Sequence, residues 1–398
     1  MVLSVEMRKP YLLQLREEDE YVTKQKLHYK GDNDYHPVFK IDARYLAYNK
    51  NNGRLESEMA TWRRERDIDD DTYNEDIEAK IEELLWSDNT GKNSKTLKSI
   101  QDIGQQKPGI VTLDGVIIDG NRRAMLLKRA KIGWFDAIIL PDAYEDNIRE
   151  IVRLETQYQM GEDAKLDYGP LEKYLKVKKL KFDFDFDEDE IADFMNESDR
   201  NIKVYLSIMG LMDEYLDYIG CDGLYSMLSD SKGTKEGMFV DLDRDLKRLD
   251  SGTKHVPWDY DKEVDVLTLK NIQFDHIRYS GEFSDTDKIY RLISNKGRGA
   301  ETFFADKAIW EKFSTRHLHE VEPISVDVPT LEEYCTEHPE HETKTDAAEE
   351  RDRKWTEKIS PTIKSNFYQS KVHLDNKLGQ QEPTKLLQNA LGALESIE

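Results

Sequence analysis

Apolar residues along this chain come in short runs, some alternating and some at helical spacing, separated by long polar stretches. Val38-Phe39-Lys40-Ile41 predicts a strand, followed by Arg44 to Asn49. Asn51-Asn52-Gly53-Arg54 predicts a tight turn, because an Asn-Gly pair tolerates positive φ. Residues 65–76 are dominated by Asp and Glu and should be solvated. Ile77 to Trp86 predicts a short helix with Ile77, Ile81, Leu84 and Leu85 on one face. Thr96 to Ile103 predicts a helix stopped by Gly104. Gly109 to Leu113 predicts a strand, Asp114-Gly115 a hairpin turn, and Val116 to Asp119 the returning strand. Gly120-Asn121-Arg122-Arg123 opens a helix over Ala124 to Ala130, and Phe135 to Leu140 predicts a strand stopped by Pro141. The order is that of a compact α/β unit.

Around this unit the pattern is less regular. Residues 1–37 are polar, tyrosine-dotted and without a clear period, which predicts an N-terminal extension before a domain at 38–145. Residues 146–235 predict a helical domain. In it Asp187 to Met195 and a second helix through Ile202, Tyr205, Leu206 and Met209 flank a break at Asn196-Glu197-Ser198, a helix-turn-helix spacing. Residues 236–320 are mixed, with a basic glycine turn carrying Lys296 and Arg298. Residues 321–360, acidic and holding Pro323, Pro329 and Pro339, predict a linker. The tail, 361–398, ends in an amphipathic stretch with Leu387, Leu391 and Leu394 on one stripe. The Phe182-Asp183-Phe184-Asp185-Phe186 alternation suits a strand or an edge loop, used for packing rather than as an aromatic platform for nucleic acid.

Composition narrows the classes. A chain of 398 residues predicts two or three domains. A net charge of -23 disfavours indiscriminate coating of nucleic acid or anionic membranes, so any DNA contact needs a local basic patch. No apolar run approaches the ~18 residues that span a bilayer, and Met1 to Glu20 lacks a signal-peptide core. Cys221 and Cys335 make no disulfide framework, and a cytoplasmic location is expected. Cys335, His338 and His341 are closely spaced but lack a fourth ligand, and are assigned to the linker.

The candidate chemistry lies at Asp119-Gly120-Asn121-Arg122-Arg123. A strand ends, glycine lets an anion approach the backbone, and two arginines stand at a helix N-terminus with free N–H groups. Arginine offers paired donors to phosphate oxygens. This is a phosphate cradle without the Walker spacing. The same residues also suit a hairpin whose arginines pair with nearby carboxylates. On the residues alone both readings stand.

The run Leu97 to Ala130 resembles the N-terminal domain of the ParB family and the related sulfiredoxin fold. There a helix ending in glycine leads to a proline, a strand, a hairpin and a glycine-(x)-arginine-arginine box, matched here by Gly120 to Arg123. Asn49 to Arg54 is similar to the asparagine-to-arginine turn that opens such domains. Glu155-Thr156-Gln157-Tyr158-Gln159 with Pro170-Leu171-Glu172 looks like a stretched second box, Thr156 replacing its asparagine. Phe186 to Met212 is similar to the family's helix-turn-helix. The resemblance spans roughly residues 38–215.

That resemblance implies an α+β fold: a ParB/sulfiredoxin-like domain, then a helix-turn-helix domain and a mixed C-terminal region. It implies binding of ATP or CTP with Mg2+, with Asp119, Gly120, Asn121, Arg122 and Arg123 at the nucleotide and Glu155 as metal ligand or catalytic group. Asn121 stands where the family commonly has glutamate, which leaves no catalytic carboxylate at that position. It implies a nucleotide switch on DNA in plasmid or phage maintenance, regulation or defence, and a homodimer.

For DNA, Arg200, Asn201 and Lys203 are offered by the second helix, and Lys176, Lys178 and Lys179 come from a lysine cluster at 173–181. Against them stand nine acids between Lys181 and Arg200, which suit a helical spacer that has lost DNA binding; the lysines adjoining the motif put DNA binding slightly ahead. Two alternatives accompany the switch. One is a nucleotide-dependent enzyme (NTPase, kinase or nuclease) relying on Glu155. The other is a non-catalytic acidic protein with a protein partner.

Overall fold

The computed structural model describes residues 3–69, 73–160, 169–230, 233–253, 256–279, 291–294 and 301–395. It divides into two compact units, Met1–Met209 and Gly210–Glu398.

The first unit is built on a six-stranded mixed sheet. Its strands are β1 (Thr23–Tyr29), β2 (Asp32–Asp42), β3 (Ala47–Tyr48), β4 (Gly109–Val111), β5 (Val116–Asp119) and β6 (Trp134–Ile139), in the order β1-β2-β6-β4-β5-β3. β6 pairs parallel with β4, and β5 parallel with β3; the other pairings are antiparallel. Side chains alternate across it, as period two demands. Phe39, Ile41, Val111, Ile117, Phe135 and Ala137 join one core, and Val38, Ile110, Ile118 and Ile138 the other. The first core is covered by α1 (Val5–Glu18), α2 (Glu56–Arg66), α3 (Glu75–Ser87), α4 (Thr90–Ile103) and α5 (Asn121–Arg129). The second is covered by α6 (Ile148–Met160), through Ile151 and Leu154.

The strand–hairpin–strand–helix–strand order over 109–140 is the one the sequence predicts. Residues 1–37 are not an extension: they form α1, β1 and half of β2, so the sheet begins before residue 38. The signal was masked because β1 sits at the sheet edge and buries only Leu27 and Tyr29.

The helical segment follows as α7 (Pro170–Phe182), α8 (Glu188–Met195) and α9 (Asp199–Tyr218). Asp187 caps α8, accepting from the Glu190 amide while the Glu190 side chain accepts from the Asp187 amide; Asn196 ends α8 in the left-handed region at φ 51°. Val152, Val177, Leu180, Ile191, Met195 and Ile202 form the core that ties these helices to α6. Phe186 and Phe194 pack edge to face within it and Phe184 lies against it, whereas Phe182 at the end of α7 is exposed, so the phenylalanine alternation packs only in its second half.

The second unit is mainly helical: α10 (Glu236–Asp250), α11 (Asp265–Arg278), α12 (Lys307–Glu320), α13 (Glu322–Val326), α14 (Leu331–Glu337) and α15 (Lys344–Glu395). The linker expected over 321–360 is largely helical, in three segments, with Tyr334, Ala347, Ala348, Arg351 and Trp355 buried. The prolines punctuate these helices. Pro323 lies in the first turn of α13, Pro329 precedes the Thr330 cap of α14, and Pro339 follows it. Lys296 and Arg298 lie outside the described residues, as do the side chains of the leucine stripe beyond residue 379.

Candidate functional site

Gly120 occupies the N-cap of α5 at φ 103°, and a Cβ there would stand 2.8 Å from the Phe135 ring. The glycine is therefore demanded by backbone conformation and by packing. Asn121 turns inward. Its Oδ1 accepts from the Asn49 amide at 3.0 Å and its Nδ2 donates to the Ile117 carbonyl at 3.0 Å. The amide thus joins the Asn49 turn to the box as a brace and faces no solvent.

The two arginines face different partners. Arg123 Nη1 donates to the Pro108 carbonyl at 3.0 Å, and its Nη2 lies 3.9 Å from Asp119. Burial lowers its pKa, and the Asp119 charge partly restores it. Arg122 Nε donates to Asn93 Oδ1 at 2.5 Å, and Nη1 lies 4.0 Å from Asp88. Arg122 Nη2 is buried without a hydrogen-bond partner. Asn93 itself is fully buried and donates to the carbonyls of Leu85 and Trp86. Sequence reasoning missed Asn93; its only signal is a lone asparagine in the middle of a helix.

A second polar group lies beyond Asn49. Glu155 on α6 is wholly buried; Gln159 Nε2 donates to its Oε1 at 2.8 Å, and Lys176 Nζ stands 3.4 Å from its Oε2. Burial raises the Glu155 pKa, while the charges of Lys176 and Lys179 oppose the shift. Lys179 Nζ donates to Asn51 Oδ1 at 3.0 Å and to Glu56 at 2.9 Å. Asn51 Nδ2 reaches the Tyr144 hydroxyl at 3.0 Å. Glu172, in the expected second box, accepts from Ser57 at 3.1 Å.

These positions correct part of the expected DNA surface. Lys176 is buried against Glu155, and Lys179 is largely covered and held by Glu56, because residues three apart on α7 share its inward face. Lys173 and Lys181 pair with Glu197 and Glu188. Lys178 is half-buried. At the start of α9, Arg200 is exposed, Asn201 donates to Glu197 at 2.9 Å, and Lys203 pairs with Asp199 at 2.9 Å. The acids that crowd this segment thus neutralise their neighbours in place.

Phosphate and metal fare differently here. The uncapped α5 N-terminus and the unmet Arg122 Nη2 each offer a donor to an anion. A divalent cation held by protein ligands does not fit. Glu155 is committed to Lys176 and Gln159, and no group of three His, Cys, Asp or Glu side chains able to hold a metal occurs among the described residues. That includes Cys335, His338 and His341, whose two imidazoles instead gather round Tyr334. No described helix is long and apolar enough to cross a membrane.

No protein-family model matches the chain, and no curated protein matches it. Two solved structures of the C-terminally truncated chromosome-partitioning protein ParB from Caulobacter crescentus show similarity. The one complexed to the centromeric parS site is 14% identical over 63% of this chain and 98% of that chain, with TM-score 0.32. The one complexed with CTP-gamma-S is 16% identical over 55% of this chain and 99% of that chain, with TM-score 0.19.

Proposed function

We propose that the first unit is a nucleoside-triphosphate-responsive switch of ParB type. The phosphates would lie against the α5 N-terminus, Gly120 and Arg122, and the output would pass through α6 and α7 to the α8–α9 pair. One observation supports this most. Three segments far apart in sequence, Asn49–Arg54, Gly120–Arg123 and the Glu155–Lys179 stretch, are linked by one polar chain through Asn121, Asn49, Asn51 and Lys179. These are the segments that carry the family resemblance. Arg122 adjoins Asn121 at one end of this chain, and the helices that lead into the helix-turn-helix hold the other. Nucleotide binding then biases one arrangement of the helices over another.

Mg2+, where the nucleotide brings it, would be held by phosphate oxygens and water rather than by Glu155. DNA is the proposed partner of α8–α9, with Arg200, Lys203 and Lys178 as its cations.

The test is thermal stability of the full chain with ATP, CTP, GTP and UTP, with and without Mg2+. A selective ligand at 100 times its dissociation constant adds about 2.7 kcal/mol. The expected result is a shift for one nucleotide that disappears in Arg122→Ala/Arg123→Ala. No shift with any nucleotide, or a shift unchanged in that variant, overturns the cradle.

A further inference from the structure

The second unit contains a cavity of about 360 Å3 whose walls come from the end of α9 and from α11, α12 and α15. Its polar lining includes Asp275, Arg278, His317 and Arg351. His317 is buried, and its Nε2 lies 2.9 Å from Asp275 Oδ2. The carboxylate favours a proton on Nε2. With Nε2–H directed at Asp275, the uncharged form of the ring presents a lone pair at Nδ1. That Nδ1 is buried and has no hydrogen-bond partner.

The arginines repeat the pattern. Arg278 Nη2 donates to Asp352 at 2.5 Å, and its guanidinium lies over the Trp355 ring at 4.2 Å. Arg351 donates to the Ile219 carbonyl and, at 3.2 Å, to Cys221 Sγ. Its Nη2 lies 3.7 Å from the same Asp352. One carboxylate thus serves two guanidinium groups. The Nε of Arg278 and the Nε of Arg351 are both buried without an acceptor. Arg278 Nε, Arg351 Nε, His317 Nδ1 and Asp275 Oδ1 are all left unmet on side chains that line one cavity, although buried polar groups are ordinarily satisfied; the Asp275 oxygen, like the His317 lone pair, calls for a donor from whatever fills the cavity. Asp217 and Glu322 also line the cavity, and their charge excludes large polyanions.

We propose that this cavity binds a small oxyanion that also carries a hydroxyl: hydrogen phosphate or an α-hydroxy carboxylate. The oxyanion oxygens accept from Arg278 and Arg351, and the hydroxyl donates to His317 Nδ1. An oxyanion without a hydroxyl leaves Nδ1 unmet and binds more weakly. This site is independent of the Gly120 box.

The experiment is calorimetric titration of the full chain with inorganic phosphate, glycolate, sulfate and acetate at matched ionic strength and neutral pH. It is paired with long-range proton–nitrogen NMR of the histidine rings. Saturable binding of phosphate or glycolate is expected, tighter than sulfate and acetate by on the order of ten-fold, one hydrogen bond's worth. The His317 Nδ1 resonance should move with saturation. Whichever of the two hydroxylated probes binds names the source. In Arg122→Ala/Arg123→Ala the His317 response should persist, which separates this site from phosphate held at α5. His317→Gln, which keeps a nitrogen for Asp275, should erase the preference for hydroxylated probes. The spectrum of the unaltered protein serves even where that variant fails to fold. Absence of saturable binding by both phosphate and glycolate, or binding that leaves the His317 ring unmoved, overturns the proposal.

Discussion

The buried pair between Glu155 and Lys176 offers the sharpest test of how the first unit is held together. Its charges are 3.4 Å apart with both side chains almost wholly buried. At an effective dielectric of about 20, unit charges at that distance attract by about 5 kcal/mol. Desolvation costs several kcal/mol per ion, so the pair as a whole contributes little net stability. Removing one partner leaves the other stranded. Lys176→Met and Glu155→Gln should therefore each destabilise by about 3–5 kcal/mol, and the double variant should recover much of that loss.

The two single variants differ in pH dependence. In Lys176→Met the lone carboxylate loses its nearest cation, so a folded-state pKa already raised by burial rises further. A glutamate with a folded pKa above its unfolded value of about 4.3 binds more protons folded than unfolded. Stability is therefore highest at low pH and falls as pH climbs from the unfolded value through the folded one. Lys176→Met should lose more ground at pH 8 than at pH 5, relative to wild type, while Glu155→Gln should show no such trend. The assay is hydrogen exchange on the full chain, followed in peptides from α6 and α7. This avoids assuming two-state unfolding for a chain of two units. Single variants that each cost under about 1 kcal/mol, with no coupling and no pH trend, would refute the picture of a dry, paired charge.

Three further outcomes are expected. Gly120→Ala forces a side chain into φ 103° and against Phe135, and should cost about 1–3 kcal/mol, visible as a lowered Tm. His276 in the second unit is held neutral by burial, its pKa pushed down to about 4, so the unfolded chain takes up the proton first as pH falls below about 6.5. Stability should drop by about 3 kcal/mol between pH 6.5 and 4, read as faster exchange in α11. With Lys176 and Lys179 withdrawn, DNA binding would rest on Arg200, Lys203 and Lys178. The slope of log affinity against log salt should then be no steeper than about -3, and anisotropy titrations giving about -6 would place the contact elsewhere.

Parts of this architecture were legible because local chemistry and global packing agree. Asp114-Gly115 between alternating strands forces a hairpin, and Gly120 between strand and helix marks a turn that only glycine adopts cheaply. The first helix and edge strands were illegible for the opposite reason. α1 buries only Arg8 and Leu12, and β1 only two residues, so neither carries a periodic apolar signal. The fate of the lysines was ambiguous for another reason. Lys176 and Lys178 are equivalent as letters, and only the rotation of α7 decides which one meets Glu155. The His317 cavity left no trace because its residues come from segments scattered over more than 130 positions, none of them forming a motif. The prolines of 321–360 misled because helix-start prolines and linker prolines are the same residue.

The borders of the sheet limit how copies of this chain can meet. β3, at one border, is two residues long, and β1, at the other, exposes Lys24, Lys26 and His28 on alternate positions. Too short on one side and too charged on the other, neither border offers a flat, apolar template for a foreign strand. Growth into fibrils by strand addition is thereby discouraged, a useful property in a chain whose sheet has open ends. A second copy would have to meet this unit through its helices, which points the search for a dimer away from backbone pairing.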